Sequence, residues 1–390
     1  MTQPGEASAK PGAATAVDAS LARLRAEIDR IDAGLLEALN QRARCVQEVG
    51  RIKAEAGVEV YSAARERDLV EALRRANPGP FPADAVEPVF REIISATRSL
   101  EQRLRVAYLG PEGTFSHLAA RKHFGASVDL APTAAIGEVF AAVERGQVEL
   151  GLVPVENTTE GVVTQTLDAF ADTELTLCGE VLLRISQQLL SRSGRLADVK
   201  RVASIPQALA QCRLWLERHL PGVERIESAS TAAAARLAAS DPTVAAIASA
   251  AAASAYGLAT VEAAIEDRHD NTTRFLLLGR QTPPPSGCDL TSAVFTVRKT
   301  QAGALHRLLE PFARHGVNLT WIQSRPMPGK PFEYLFYLDL EGHRDEPRVS
   351  GALAEAAAQA HSHRVLGSFP RAAAQPGGTA VRTAPAGEGR

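Results

Sequence analysis

Residues 270–279 read DNTTRFLLLG, and the chain on either side is organised around this stretch. Leu276, Leu277 and Leu278 form a short apolar run of the kind found in a buried strand. Thr272, Thr273 and Arg274 set two hydroxyls and a guanidinium at its mouth. A hydroxyl beside a planar cationic fork suits a small carboxylate substrate that must be held while a proton moves. The same residues also suit a solvated strand edge, so the neighbouring sequence decides between the two.

Upstream, RVAYLG predicts a strand that runs into GPEGTFSH, where Gly110 and Gly113 bracket a turn into a helix over Thr114 to Phe124. This is the strand, turn and helix of an α/β domain, with backbone N–H groups aimed at an anion. It is neither a P-loop nor a dinucleotide fingerprint, so no nucleotide is implied. Apolar runs then alternate with helical stretches: VELGLVPVE, VKRVASIP into ALAQCRLWLERHL, GVERIESAS into TAAAARLAA, and TVAAIAS into ASAYGLA. The alternation predicts parallel sheets with helices on both faces, divided into two lobes over residues 104–282. Ligands in such folds sit at the carboxyl ends of strands, in the cleft between lobes. Glu156 with Asn157, Ser204 with Gln211, and Asn271 through Arg274 all fall at such ends.

The N-terminal flank, 19–102, reads as all helix. Leu21, Leu24, Ile28, Ile31, Leu35, Leu39, Val46, Val49 and Ile52 hold helical spacing, with Ser20 or Asp18 as the cap. Such a helix is roughly 50 Å long, more than the two shorter helices expected at Ala64 to Ala76 and Glu87 to Leu104 can cover. An intertwined dimer is expected. Arg42 and Lys53 differ by only about 20° around the helix, while Arg25 lies roughly 100° away and could serve the facing protomer. Arg65 and Glu66 open the second helix, and Thr97 and Glu101 are expected one turn apart on the third. These charges read either as ordinary surface or as a cationic pocket for a dicarboxylate.

The C-terminal flank begins after QTPPPSGCD, a proline-rich joint at 283–289. SAVFTVRK, GALHRLLEPFARHG, VNLTWIQSRP, FEYLFYLDLEG, VSGALAEAAAQAH and RVLGSF then give the order βαββαβ over 290–372. That order predicts a ferredoxin-like domain.

Motifs in all three parts carry a family resemblance. LRAEIDRIDAGLLEALNQRARCVQEVGRIK followed by RERDLVEAL resembles the all-helical chorismate mutases. The likeness implies an active site of Arg25, Arg42, Lys53, Arg65, Glu66, Thr97 and Glu101. Arg25 and Arg42 would clamp two carboxylates, Lys53 and Glu101 would face the ether oxygen that breaks, and Glu66 the substrate hydroxyl. The reaction is pericyclic and needs compression and positive charge rather than a nucleophile. GPEGTFSH, VPVENTTEG, SIPQALAQC and NTTRF together resemble the prephenate dehydratases. That likeness implies substrate-site roles for Glu156, Asn157, Ser204, Gln211, Thr273 and Arg274. Thr273 would be the proton donor and Arg274 the carboxylate or orienting cation. The last domain resembles the ACT regulatory domain, with Gly303, Ala304 and Leu305, and Gln323, Ser324, Arg325 and Pro326, at its phenylalanine-binding motifs. The expected ligands are therefore chorismate, prephenate and L-phenylalanine as effector, with no cofactor and no metal.

Four positions depart from the family pattern, one of them Ile205, where some relatives carry histidine. Ser62 stands where some relatives are acidic, Glu101 where others carry glutamine, and Gln323 where the second effector motif usually begins with glutamate. Loss of that carboxylate would weaken inhibition by phenylalanine. A noncatalytic amino-acid-binding regulator, and a dehydratase with a degenerate mutase unit, are the alternative readings.

Composition narrows the class. The 390 residues suit several domains, and 43 basic against 45 acidic residues leave a formal charge of −2. A bulk polycation is excluded, so neither nucleic acid nor an anionic membrane is an expected partner. Cys45, Cys178, Cys212 and Cys288 have no ligand spacing and read as buried thiols in a reducing compartment. No run approaches the ~20 apolar residues of a membrane span. Residues 1–18, without an apolar signal core, and 373–390 read as disordered Ala/Gly/Pro-rich tails. A cytoplasmic, multidomain protein is expected.

Glu101 yields the first prediction. To donate a hydrogen bond to an ether oxygen it must carry a proton. Mutase turnover should fall as pH rises, and Glu101→Gln should flatten the profile. A wild-type rate independent of pH contradicts this role.

Overall fold

The structure is a computed structural model describing residues 11–56, 63–101, 103–297, 302–327 and 333–372. Ser62 lies outside the described residues.

The first helix runs Pro11–Ala56, 46 residues and about 70 Å at 1.5 Å per residue. It starts within the stretch expected to be an unstructured tail. Pro11 has its φ already set for a first helical turn, and the alanine-rich run that follows favours helix. The third helix, Ala83–Arg98, packs on the C-terminal part of the first, and the second, Ala63–Ala76, packs on the third. The third starts earlier and ends earlier than the sequence suggested. Pro88 is accommodated near its start. At its end Leu100 and Glu101 bond back to Thr97 and Arg98, a tighter i,i+3 turn. Glu101 therefore sits in that turn, not on the helix. Val17, Leu24, Ile28, Ile31 and Leu35 remain exposed along the first helix. Each is worth about 1.5–3 kcal/mol when fully buried, so this stripe lacks its packing partner within one chain.

The central part contains two sheets, both mixed rather than parallel. The six-stranded sheet orders Asp129–Thr133, Arg105–Leu109, Leu150–Asn157, Thr272–Gly279 and Thr176–Arg184, with Gly161–Val162 paired to Leu150–Asn157. The five-stranded sheet orders Ala259–Glu262, Gln188–Ser191, Val244–Ala248, Arg201–Ser204 and Glu224–Glu227. The chain leaves the first sheet after Thr176–Arg184 and returns from the second as Thr272–Gly279. The returning strand enters antiparallel to both neighbours, which breaks the parallel pattern.

The GPEGTFSH turn is a contact between lobes rather than an open anion site. Thr114 caps the helix Phe115–Phe124 instead of joining it. The Gly113 N–H donates to His117 Nδ1 at 3.2 Å, and its carbonyl accepts from Ser249 Oγ at 2.8 Å. With φ of +84°, Gly113 packs so closely on Ala252 and Tyr256 that a Cβ there would overlap them.

The C-terminal part folds in the order Asp289–Thr296, Ala304–Arg314, Leu319–Pro326, Tyr334–Glu341, Pro347–Gln359 and Ser362–Pro370. Its four strands are antiparallel, with Leu319–Pro326 and Ser362–Pro370 at the edges. One sheet face carries the two helices, with Phe295, Leu308, Phe312 and Leu338 between them. The other face packs on the first lobe, joining Tyr337, Leu366 and Phe369 to the core of Val155, Leu167 and Leu276. Of the four cysteines, Cys178 and Cys212 are buried as expected. Cys45, on the uncovered first helix, and Cys288, in the proline-rich joint, are exposed, contrary to expectation.

Candidate functional site

Five of the seven residues expected at a mutase site lie close together in the helical part. Arg42 Nη1 donates to Thr97 Oγ1, whose own proton goes to the Ile93 carbonyl at 2.7 Å. Lys53 Nζ lies 3.9 Å from Glu101 Oε2, a buried oxygen with no hydrogen-bond partner. Burial lowers the Arg42 guanidinium from its ordinary value, and the nearby Glu66 and Glu101 charges oppose that. Burial pushes the Glu66 carboxyl up, against the pull of Arg98. Arg25 and Arg65 are exposed to solvent in the single chain. Arg25 lies on the uncovered stretch of the first helix, so only a second protomer could bring another chain's groups to it.

Two residues at this site escaped the sequence reading. Arg98 is buried and donates to Glu66 Oε1 at 2.5 Å and to the Phe124 carbonyl at 3.1 Å. It ties the helical part to the end of the first helix of the central part, Phe115–Phe124. Its position between Thr97 and the helix end was the only available signal. Gly50 lets the Glu101 turn lie against the first helix, since a Cβ there would come within 2.9 Å of Glu101 Cβ and Cγ.

In the central part the strand Thr272–Gly279 separates what the sequence had grouped. Thr273 pairs in register with Asn157, and Arg274 with Glu156. Because successive strand residues face opposite sides, Thr273 and Arg274 diverge. On one side Asn157 Nδ2 donates to Thr273 Oγ1 and to Asn271 Oδ1, both at 2.8 Å. Asn157 Oδ1 in turn accepts from the Thr159 and Glu160 N–H groups. Gln211, from the second lobe, donates to Glu160 Oε1 at 3.0 Å and accepts from the hinge residue Gln187 at 3.1 Å. The cluster thus spans both lobes.

On the opposite side Arg274 bonds away from Thr273 through two of its three guanidinium nitrogens, and its buried Nη2 has no hydrogen-bond partner among the described residues. Its Nε donates to Glu180 Oε2 at 2.8 Å and its Nη1 to Asp339 Oδ2 at 2.5 Å. Burial alone would lower this guanidinium, but Asp339 and then Glu180 more than offset it and hold it above its ordinary value. Glu156 lines a cavity with Arg274 on this same side, next to Trp321 of the C-terminal sheet. The expected grouping of Glu156 and Arg274 with Asn157 and Thr273 is therefore corrected by strand alternation. Ser204 is also displaced from the expected cluster. It is fully buried in the second sheet, where its hydroxyl donates to the Ile247 carbonyl at 2.6 Å. Asn271, expected at the same strand end, joins the cluster, and so does Gln187, which was not among the expected residues.

In the C-terminal part Gly303, in the left-handed region, precedes Ala304 and Leu305 at the start of a helix. Gln323 and Ser324 lie on the edge strand, where Gln323 Nε2 donates to the Ser324 carbonyl at 3.0 Å. Arg325, followed by Pro326 at the strand end, is held by both oxygens of Asp168 at 2.7 Å. Its fork is thus taken by the first lobe, contrary to a free ligand contact.

Comparison with known proteins shows the family. Family models for chorismate mutase type II and prephenate dehydratase match residues 24–102 and 106–283. The bifunctional chorismate mutase/prephenate dehydratase of Aquifex aeolicus is 45% identical over 359 residues, 91% of this chain and 99% of that protein. The chain belongs to the bifunctional chorismate mutase/prephenate dehydratase family. The Pseudomonas aeruginosa member is 45% identical over 90% of this chain and 98% of its own length. Among solved structures, the Arthrobacter aurescens prephenate dehydratase in complex with L-Phe aligns with a TM-score of 0.64 and 37% identity. That match covers 69% of this chain and 90% of the other.

The Gly50 contact can be tested directly. Gly50→Ala should push the Glu101 turn off the first helix and lower mutase turnover about tenfold, leaving prephenate turnover unchanged. Unchanged mutase turnover would show that Glu101 does not depend on this close approach.

Proposed function

We propose that the chain rearranges chorismate to prephenate in its helical part. Its two-lobed part then converts prephenate to phenylpyruvate, water and carbon dioxide. Family membership supports both activities. The observation that carries the second is the Asn157–Thr273 hydrogen bond at 2.8 Å. Because Asn157 donates to Thr273 Oγ1, the threonine's own proton remains available for the leaving ring hydroxyl. Burial of Thr273 keeps water from competing for that bond. Gln211, Glu160 and Asn157 hold the two lobes around it. Arg274 takes no substrate role in this scheme.

In the mutase reaction, Arg42 and a partner protomer's Arg25 would hold the two carboxylates, with Thr97 fixing Arg42. The orphan oxygen of Glu101 beside Lys53 suits the breaking ether bond, and Glu66 suits the substrate hydroxyl. The exposed apolar stripe of the first helix supports the homodimer that this requires. We assign 19–102 to the mutase, 104–282 to the dehydratase and 290–372 to a ferredoxin-like ACT domain. The strand order supports the last assignment. The L-Phe-bound relative aligns over more of this chain than the dehydratase model matches, which supports L-phenylalanine as the effector. Its site would lie near Gly303, Ala304 and Leu305 and the Gln323 edge strand. Arg325 would help dock the ACT domain instead of gripping the ligand. No helix among the described residues is long and apolar enough to cross a membrane. A biosynthetic enzyme of this kind belongs in the cytoplasm.

Chorismate and prephenate turnover should be measured separately, with and without millimolar L-phenylalanine. Both substrates should be consumed, and phenylalanine should suppress phenylpyruvate formation. Thr273→Val should cost the dehydratase about 10²–10⁴-fold and spare the mutase. Leu35→Glu should split the dimer and abolish mutase turnover alone. No phenylpyruvate from the wild-type chain would sink the dehydratase reading.

A further inference from the structure

The buried charge cluster behind Thr273 joins two parts of the chain. Arg274 lies between Glu180 of the adjacent strand and Asp339 of the C-terminal sheet. Both carboxylates are almost fully buried, at 7% and 2% exposure, so neither is replaced by water. Each is held from behind. Asp339 Oδ1 accepts from Ser292, and Glu180 Oε1 accepts the Ala372 N–H at 2.8 Å. Arg274 is also where the pairing with the strand Leu150–Asn157 shifts register, between Arg274 and Phe275. The strand is thus irregular beside Thr273 on the edge facing Leu150–Asn157, while its pairing with Thr176–Arg184 runs unbroken from Thr272 to Leu277.

We propose that Asp339 is a positioning residue for prephenate dehydration, although it belongs to the C-terminal domain. By anchoring Arg274 it fixes the strand end that presents Thr273 to Asn157. The C-terminal sheet thus backs the strand that carries the dehydratase site. Removing one carboxylate leaves a buried guanidinium short of charge, which drives it toward another arrangement. An ångström of displacement at the proton donor is enough to slow a positioned reaction by up to about 100-fold. This inference rests on the dehydratase reading given above.

The test uses the full chain carrying Asp339→Asn, assayed on both substrates. The kcat for prephenate should fall about 10- to 100-fold with KM little changed, while chorismate turnover of the same sample stays at the wild-type value. Asp339→Glu should restore much of the loss, which a simple packing defect would not predict. Ser292→Ala, a milder change that frees one Asp339 oxygen, should lower kcat about threefold and decides the matter if Asp339→Asn does not fold. Wild-type kcat in Asp339→Asn, or in Ser292→Ala where the former is unfolded, overturns the proposal. Failure of the dehydratase reading itself would appear separately, as a wild-type chain that makes no phenylpyruvate.

Discussion

A strand turns its consecutive side chains to opposite faces, and the arrangement of this molecule follows from that rule at Thr273 and Arg274. The strand Thr272–Gly279 is paired on both edges in the first sheet, and its alternate side chains enter two different cores, one on each face. Thr273 reaches Asn157 and the cleft between lobes. Arg274 reaches Glu180 and the C-terminal sheet. One dipeptide therefore places the proposed proton donor and an interdomain ion cluster back to back. Any movement of the C-terminal sheet that displaces Asp339 acts on a residue covalently joined to Thr273.

Arginine recurs at several junctions between parts of the chain. Arg98 connects Glu66 of the helical part to the Phe124 carbonyl. Arg325 is held bidentately by Asp168, and Arg364 donates to the Phe170 and Thr173 carbonyls. The planar fork makes two directed bonds without losing its charge, which suits contacts that must fix orientation as well as distance. Apolar packing supplies the rest, since the C-terminal sheet shares its lower core with the first lobe. The parts behave as one packed body in which each candidate site is backed by a neighbour.

The alternating strands and helices, the three helices at the start and the βαββαβ order at the end were all legible, because each rests on local periodicity. The clustering of Arg42, Lys53, Glu66, Thr97 and Glu101 was implied by the family resemblance, since they come from three packed helices and the turn after the third. The reading failed where the answer depends on what lies across an interface. Nothing near Arg274 in sequence announces Asp339, which lies 65 residues away. Ser204 has the chemistry of a site residue, yet a neighbouring strand takes its hydroxyl. The mixed sheets follow from a chain that crosses between lobes and returns, a long-range event with no local signature. Gly50 and Arg98 matter through close approach and burial, which composition does not reveal.

The most direct measurement is a crystal structure of the full chain with phenylpyruvate bound. The ligand should lie in the cleft on the Thr273 and Asn157 side, with Arg274 still bonded to Glu180 and Asp339. An Arg274 guanidinium turned away from Asp339 and gripping the ligand carboxylate would contradict the division of that strand into a chemical face and a docking face.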